Sequence, residues 1–525
     1  MNLLTPLVLF AASPVLPPSP DSPGGSSGPV PNRGDVGVIS PTAPNGTFGN
    51  LDLPTVLAIS SLVLVAIALT TIAVTTLWWM LHAWKSDGNF KRTGFSEQTL
   101  PPAHSFTLLV PGRHEEEVMG QTLDVLASQT HPNVQIIAIV GHDDPGTERV
   151  AREAAARHPE LISVVVDHSV PKNKPKALNT ALKFATGDIV GVFDAEDEVH
   201  PGLLRLIDSK FTETGAAVVQ GGVQLMNFRS SWWSLRNVLE YYFWFRSRLH
   251  FHAGARFIPL GGNTVFVRRE WLDFTDGWDA ECLAEDCELG VRLSSAGAEV
   301  VVAYSPEVVT REETPGSLMS LFKQRTRWNQ GFLQVLRKGE WKKLPTRTQR
   351  LFARYMLAMP FLQAISGIMI PISLVLIFFV KVPTPIALIT FIPIAPTLIT
   401  VAVEIAGLGD FGRVYNEKVR VRDYVRLILG TFPFQVFLAA AAIRAVFRQL
   451  RGETGWEKTE HSGVHREPVA ATEAVISAAT PIPVAASAGL GEFDYFPPVD
   501  SDRELADERV TSAKARETVS EGMTR

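Results

Sequence analysis

The placement of the apolar runs constrains this chain most. A membrane core needs about 20 consecutive apolar residues per crossing helix, and residues 53–79, 355–380 and 385–408 each supply them. A fourth run, 427–447, is interrupted by Pro433 and Arg444. Between the first and second runs lies a block of ordinary globular composition, residues 84–345. The expected organisation is therefore one membrane helix at 51–83, a folded domain at 84–345, and a membrane region of two to three spans at 346–450. Basic residues set the orientation. Lys85, Lys91 and Arg92 follow the first run, and almost no positive charge precedes it. This predicts a multi-pass protein of the cell membrane, its N-terminus outside and its central block cytosolic. The far end resists the rule. Arg413, Lys418, Arg420 and Arg422 mark one loop as cytosolic, and Arg448, Arg451, Lys458 and Arg466 mark the tail likewise. One crossing cannot leave both ends inside. Either 427–447 is re-entrant or one loop breaks the charge bias.

The 525 residues carry a formal net charge of −5, so no basic excess points to nucleic acid. Cys282 and Cys287 are too few for a disulfide framework and lack a zinc spacing; in a cytosolic block they read as packing residues. Residues 1–13 are apolar but short and have no basic n-region, an atypical signal-like start. Pro, Gly and Ser follow, so 1–50 reads as a disordered arm. Residues 451–525 begin basic and turn Ala-, Pro- and Glu-rich from 467, a disordered tail.

Within the block, residues 106–110, 134–140, 162–166 and 189–193 read as short buried strands, with helical stretches such as 116–128 and 148–157 between them. That alternation predicts an α/β fold with a mostly parallel sheet and a cleft at the strands' carboxyl ends. Polar motifs follow the strands: Pro111-Gly112-Arg113-His114-Glu115, Gly141-His142-Asp143-Asp144 and Asp194-Ala195-Glu196-Asp197. Carboxylates after 189–193 suit a hard cation that also takes diphosphate oxygens, though a solvated acidic turn has the same composition. Asp144 before Pro145 is also ordinary turn chemistry. Lys174-Pro175-Lys176 opens a helix, as phosphate-seeking point charges or as a solvated basic face. Glu285-Asp286 begins another, as a catalytic base or simply as helix-dipole partners. Gln324-Arg325-Thr326-Arg327-Trp328 sits in a helical pattern. Arg pairs with phosphate and Trp stacks on sugar, while a helix lying on a membrane surface uses the same residues. His250 and His252 read as core or loop histidines rather than metal ligands. Trp232-Trp233 and Tyr241-Tyr242-Phe243-Trp244-Phe245 read as an aromatic face near the membrane.

Taken in this order, over roughly 105–337, the motifs resemble those of the membrane-bound family 2 glycosyltransferases, the group that includes cellulose, hyaluronan and poly-N-acetylglucosamine synthases. The resemblance implies a cytosolic GT-A (Rossmann-like) domain inserted between transmembrane helices. It places Asp144 on the family's nucleotide-contacting aspartate and Lys174 near the diphosphate. Asp194 and Glu196 fall on its metal-binding Asp-x-Asp, and Asp286 on the base of its Thr-Glu-Asp, with Glu285 beside the acceptor. Gln324 and Arg327 grip the donor diphosphate, and Trp328 holds the acceptor sugar. The implied cofactor is Mg²⁺ or Mn²⁺. The implied reaction is inverting transfer from a nucleotide-diphosphate sugar, a UDP-sugar above all, to a growing β-linked polysaccharide. Transfer of a single sugar to a lipid-linked acceptor is the alternative, and an inactive membrane scaffold or transport component is a third. Membrane lipids and an export partner protein complete the expected partners. The chain departs from the pattern where Glu196 replaces the second Asp, leaving Glu196 or Asp197 as ligand, and where Ala284 replaces the Thr. Three or four spans are also few for a self-contained export channel.

Overall fold

The computed structural model describes residues 53–82, 99–379 and 384–457. The expected N-terminal arm, Lys85, Lys91 and Arg92, and the tail beyond 457 lie outside the described residues. Helix α1 (Leu53–Leu81) precedes a domain whose seven-stranded sheet runs in the order β3-β2-β1-β4-β7-β5-β8. The strands are β1 Phe106–Gly112, β2 Val134–Gly141, β3 Ile162–Asp167, β4 Ile189–Val192, β5 Val218–Gly221, β6 Val223–Leu225, β7 Val265–Arg268, β8 Val300–Ala303 and β9 Thr310–Glu312. β1 to β4 are mutually parallel, β7 runs antiparallel between β4 and β5, and β6 pairs with β9 in a separate two-stranded ribbon.

Helices cover both faces, and this explains the strand sequences. Leu108, Leu109 and Val110 point alternately to opposite sides, yet all are fully buried. A doubly covered strand reads as a continuous apolar run. On one face, Phe106 and Leu108 pack with Met119 and Leu123 of α2 (Met119–Ala127) and with Phe211. On the other, Leu109 and Ile137 pack with Leu178 and Leu289. The remaining helices of the domain are α3 Pro145–Arg157, α4 Lys174–Leu182, α5 Leu203–Thr214, α6 Ser234–Phe243, α7 Leu249–Gly254, α8 Arg269–Phe274, α9 Glu285–Ser295 and α10 Leu318–Lys338. A π-helical turn, Trp244–Arg248, joins α6 to α7.

Five helices follow: α11 Arg347–Leu357, α12 Met359–Phe379, α13 Thr384–Phe391, α14 Ile394–Val414 and α15 Val421–Arg451. Among the described residues three stretches, Thr55–Leu81, Ile386–Val414 and Val421–Arg451, are long and apolar enough to cross a membrane, and α11 with α12, bent by 46°, forms a further pair. The run expected at 427–447 is neither broken nor looped, since α15 continues through Pro433 and Arg444. It lies against the domain along its length. Near its start Asp423 accepts from Arg229 (3.1 Å) and Arg426 donates to the Ser231 carbonyl (2.9 Å). Further on, Phe437 meets Phe322 of α10, and Arg448 donates to Gln330 (3.0 Å). The second half of α14 docks likewise, with Glu404 on Arg236 and Asp410 on Arg246, each at 2.6 Å.

Candidate active site

A cavity of about 890 Å³ opens at the carboxyl ends of β1, β2 and β4 and reaches α1 before the domain and α12, α14 and α15 after it. Lys174 is the first residue of α4, whose N-cap Asn173 accepts from the Lys176 N–H (3.0 Å). That cap aims the lysine at the end of β4, where its ammonium donates to Asp194 and to the Gly262 carbonyl (2.9 Å). Burial alone would lower the ammonium's pKa, but the carboxylates of Asp194, Glu285 and Asp286 outweigh it and raise it.

Asp194 and Glu196 both line the cavity. Asp197 does not face it: one oxygen accepts from Asn263 (2.7 Å), the other from the Asp194 N–H (2.8 Å). Of the two alternatives left open by the sequence, Glu196 is the one placed beside Asp194. Among the described residues no three His, Cys, Asp or Glu side chains converge as a cation cage. Two hard carboxylates on a cavity wall fit a Mg²⁺-type ion that completes its shell with substrate phosphates and water. The Lys174 ammonium on Asp194 marks the same position as one that attracts positive charge.

Glu285 and Asp286 begin α9 and line the same cavity. Asp286 approaches so closely that a Cβ on Gly262 would lie 2.9 Å from its Oδ2. Its Oδ1 accepts from the Cys287 N–H (2.7 Å). Burial pushes Glu285 up to about 7, with the Asp286 charge adding to the effect and Lys174 and Arg327 opposing it. Asp286 is also held above the usual carboxylate range, by burial first of all. Such a carboxyl is a stronger base than an exposed one.

Helix α10 completes the wall. Gln324, Arg327 and Trp328 fall at i, i+3 and i+4, one face of the helix, and all three line the cavity. Two contacts fix that face against the Asp286 turn. Gly331 touches Ala284 so closely that a Cβ would fall 2.4 Å from the Ala284 Cβ, and Gln334 accepts from the Leu283 N–H (2.8 Å). Trp328 lies between Arg325, whose guanidinium is 4.6 Å from its ring centroid, and Tyr241, at 6.4 Å between centroids. Arg325 in turn pairs with Glu240 (2.5 Å).

The structure brings Lys174, Asp194, Glu196, Glu285, Asp286, Gln324, Arg327 and Trp328 to one cavity. Asp144 is placed differently. It is buried, caps α3 by accepting from Thr147 N–H (3.2 Å), and accepts from the His114 N–H (2.5 Å). Burial would raise its pKa, but these hydrogen bonds hold it low. Its neighbours His114 and Gly141, not Asp144, form the cavity wall there. Of the aromatic run, Tyr241, Phe243, Trp244 and Phe245 line the cavity, and Phe243 packs with Met80 of α1 and Leu408 of α14. Cys282 and Cys287 are buried in an apolar cluster, as expected. His252 stacks on Phe352 (5.0 Å), and burial pulls His250 down to about 3, so both behave as core groups. Sequence reasoning missed the Gly261-Gly262-Asn263 segment and Trp456. The indole of Trp456 lies 4.4 Å from the Arg327 guanidinium. The adjacent glycines before β7 were a signal for the first; nothing local marked the second.

The sequence model of glycosyltransferase-like family 2 matches residues 101–331. The match covers less than half of the chain, and it is this segment that is similar to the family. Its α/β sheet, with acidic motifs at the strand ends, is the GT-A arrangement expected above. A β-monoglucosyldiacylglycerol synthase of Synechocystis is 30% identical over 241 residues, 44% of this chain and 49% of that protein. A poly-β-1,6-N-acetyl-D-glucosamine synthase of Staphylococcus epidermidis is 27% identical over 244 residues, 46% of this chain and 57% of that protein. The chain thus spans about half the length of these curated relatives. Among solved structures, a mannosyltransferase from Pyrobaculum calidifontis in complex with GDP-Man and Mn²⁺ matches with a TM-score of 0.49 and 18% identity, over 75% of this chain and 99% of that one.

Proposed function

We propose that the protein is an inverting glycosyltransferase that moves one sugar from a nucleotide-diphosphate sugar, a UDP-sugar, to a hydroxyl of a membrane-held acceptor. The observation that carries this reading is that the Asp194–Glu196 pair and the buried Glu285–Asp286 pair line one cavity, with the Lys174 ammonium under the charge of Asp194, Glu285 and Asp286. Lys174 and Arg327 are the cations for the diphosphate. A divalent ion held by Asp194 and Glu196 would neutralise charge on the leaving diphosphate. Asp286 takes the proton from the acceptor hydroxyl as its oxygen bonds to the anomeric carbon. The bond from that carbon to the diphosphate oxygen breaks, and its electron pair leaves with the nucleoside diphosphate. One base and direct displacement convert an α-linked donor into a β-glycoside.

Two acceptors were expected from sequence, a growing polysaccharide and a lipid-linked molecule. The cavity favours the second. Its wall on α1 runs from Ile72 to Met80, about 12 Å at 1.5 Å per residue. Toward Leu53 the same helix buries Ala58, Leu62, Val65 and Ala66, which suits a recess reached from the membrane surface better than a conduit across it. The test is incubation of the purified protein in membranes with a panel of labelled nucleotide sugars, with and without EDTA. Metal-dependent label in an organic-extractable single-sugar product is the expected result. Label in a long water-soluble polymer would reverse the acceptor assignment, and full activity in EDTA would remove the cation.

A further inference from the structure

Arg248 stands apart from the arginines around it. Arg236 pairs with Glu404, Arg246 with Asp410 and Arg325 with Glu240. Among the described residues Arg248 has no carboxylate within ion-pair distance; Glu240, whose charge acts on it, is already taken by Arg325. The guanidinium is instead clasped by aromatic rings, 4.0 Å from the Trp79 centroid and 4.8 Å from that of Trp244. One N–H meets the Met356 sulfur (3.1 Å), a weak acceptor, and Nε has no partner. Burial pulls the group down to about 10, so it remains charged near neutral pH. Cation–π contacts of this kind are favourable, but they leave most of the five guanidinium N–H donors without an acceptor.

The position of this cation is equally specific. It closes the π turn Trp244–Arg248, a local departure from α-helix that recurs at functional sites. Arg248 lines the cavity that holds Asp286 and Trp328, on the side of α1 and α11, where it touches Trp79 and Met356. Trp79, itself buried, stands near the end of α1 beside Tyr355, which is hydrogen-bonded to Thr75 of α1 (2.7 Å). If α1 crosses a membrane, this end of it comes to the level of the lipid phosphates, where Trp and Tyr are enriched.

We propose that Arg248 receives the phosphate of the acceptor lipid while a hydroxyl of the same molecule reaches Asp286. The acceptor is then a lipid carrying both a phosphate and a free hydroxyl. A neutral hydroxyl lipid or an uncharged glycan would leave the guanidinium unpaired. The role assigned to the hydroxyl rests on the transferase reading above; the binding of the phosphate does not.

The experiment uses the full chain in a phosphate-free maltoside detergent. Retention of phosphatidylglycerol is measured by native mass spectrometry against diacylglycerol of the same chains and against inorganic phosphate. Phosphatidylglycerol should be retained and neither competitor should displace it. Arg248→Gln should weaken retention about tenfold or more, the scale of a lost charge-assisted contact, and Arg248→Lys should recover part of it. Melting curves identify variants that keep the fold, and the wild-type competition decides the matter should Arg248→Gln not fold. Equal retention of diacylglycerol, or wild-type retention in a folded Arg248→Gln, overturns the site. Displacement by inorganic phosphate means a free-anion site and overturns the lipid. Retained lipid that takes no label from a donor the enzyme hydrolyses overturns the acceptor role. Failure to use any nucleotide sugar, by contrast, sinks the transferase reading and leaves the retention result standing.

Discussion

Asp286 and Glu285 are adjacent carboxyls in one buried turn, and each makes the other harder to ionise. Asp286→Asn should lower transfer ~10²–10⁴-fold, as loss of a general base does, while calorimetric titration still detects the nucleotide. Near-normal turnover would remove Asp286 from the role. The pH dependence follows from the same pair. With Glu285 raised from 4.5 to about 7, the pair holds a proton below that value, and kcat/KM should fall on the acid side, roughly tenfold per unit. Glu285→Gln removes the neighbouring charge and should shift the acid limb to lower pH. The stability effect has the opposite sign. A carboxyl whose pKa is raised by folding contributes stability that is fully present below its unfolded value and is lost as pH rises through about 7. Glu285→Gln should therefore gain more in melting temperature at pH 8 than at pH 5. An unchanged acid limb would separate Glu285 from the titration. Asp144 illustrates what sequence leaves undecided at this scale. An Asp before Pro is written alike whether it caps a helix or faces a ligand, and only its hydrogen bonds from His114 and Thr147 distinguish the two.

Among the elements, α10 and the turn before α9 form a single unit. Gly331 is the contact that permits it, because any side chain there meets the backbone nitrogen of Ala284 at 2.6 Å. Gly331→Ala should destabilise by about 1–3 kcal/mol, as overpacking does. It should also lower transfer by on the order of 10²-fold, the effect of a displacement near 1 Å, because Arg327 and Trp328 move with the helix. Unaltered melting and turnover together would show that the helix is not held by this contact. The strands and helices carrying the acidic motifs were legible because buried parallel strands and amphipathic helices leave distinct apolar patterns, as at residues 134–140 and 321–335. The contact between Gly331 and Ala284 was not legible, since it joins residues distant in sequence and depends on the absence of a side chain. Short β5, β7 and β8 were missed for a related reason. Their four residues each carry too little period to stand out beside the glycines and aromatic runs around them.

For the whole molecule, the difficulty posed by the basic clusters turns on α15. A crossing helix would separate its ends by the membrane, yet both ends of this one meet the same domain. Asp423 and Arg426 bind the loop before α6, and Arg448 binds Gln330 of α10. Its middle turns are apolar on both faces, Leu427, Phe434, Ala441 and Ala445 buried against the molecule and Leu429, Phe432, Val436 and Phe447 exposed, a surface suited to lipid. We infer that α15 lies along the membrane face of the domain, so that the clusters at Arg413–Arg422 and Arg448–Arg466 are both cytosolic without a violation of the charge bias. Cysteines introduced singly at Asn416 and Glu453 test this in intact cells, beside Glu153→Cys in the domain and Gly34→Cys in the expected outer arm. An impermeant thiol reagent should label only the cysteine at Gly34, and permeabilisation should expose the other three together. Cys282 and Cys287 are buried and should contribute little background. Labelling at Glu453 but not at Asn416 in intact cells would make α15 a true span, and its contacts with α6 and α10 would then need a domain sunk into the membrane. Labelling at Glu153 would invert the topology altogether.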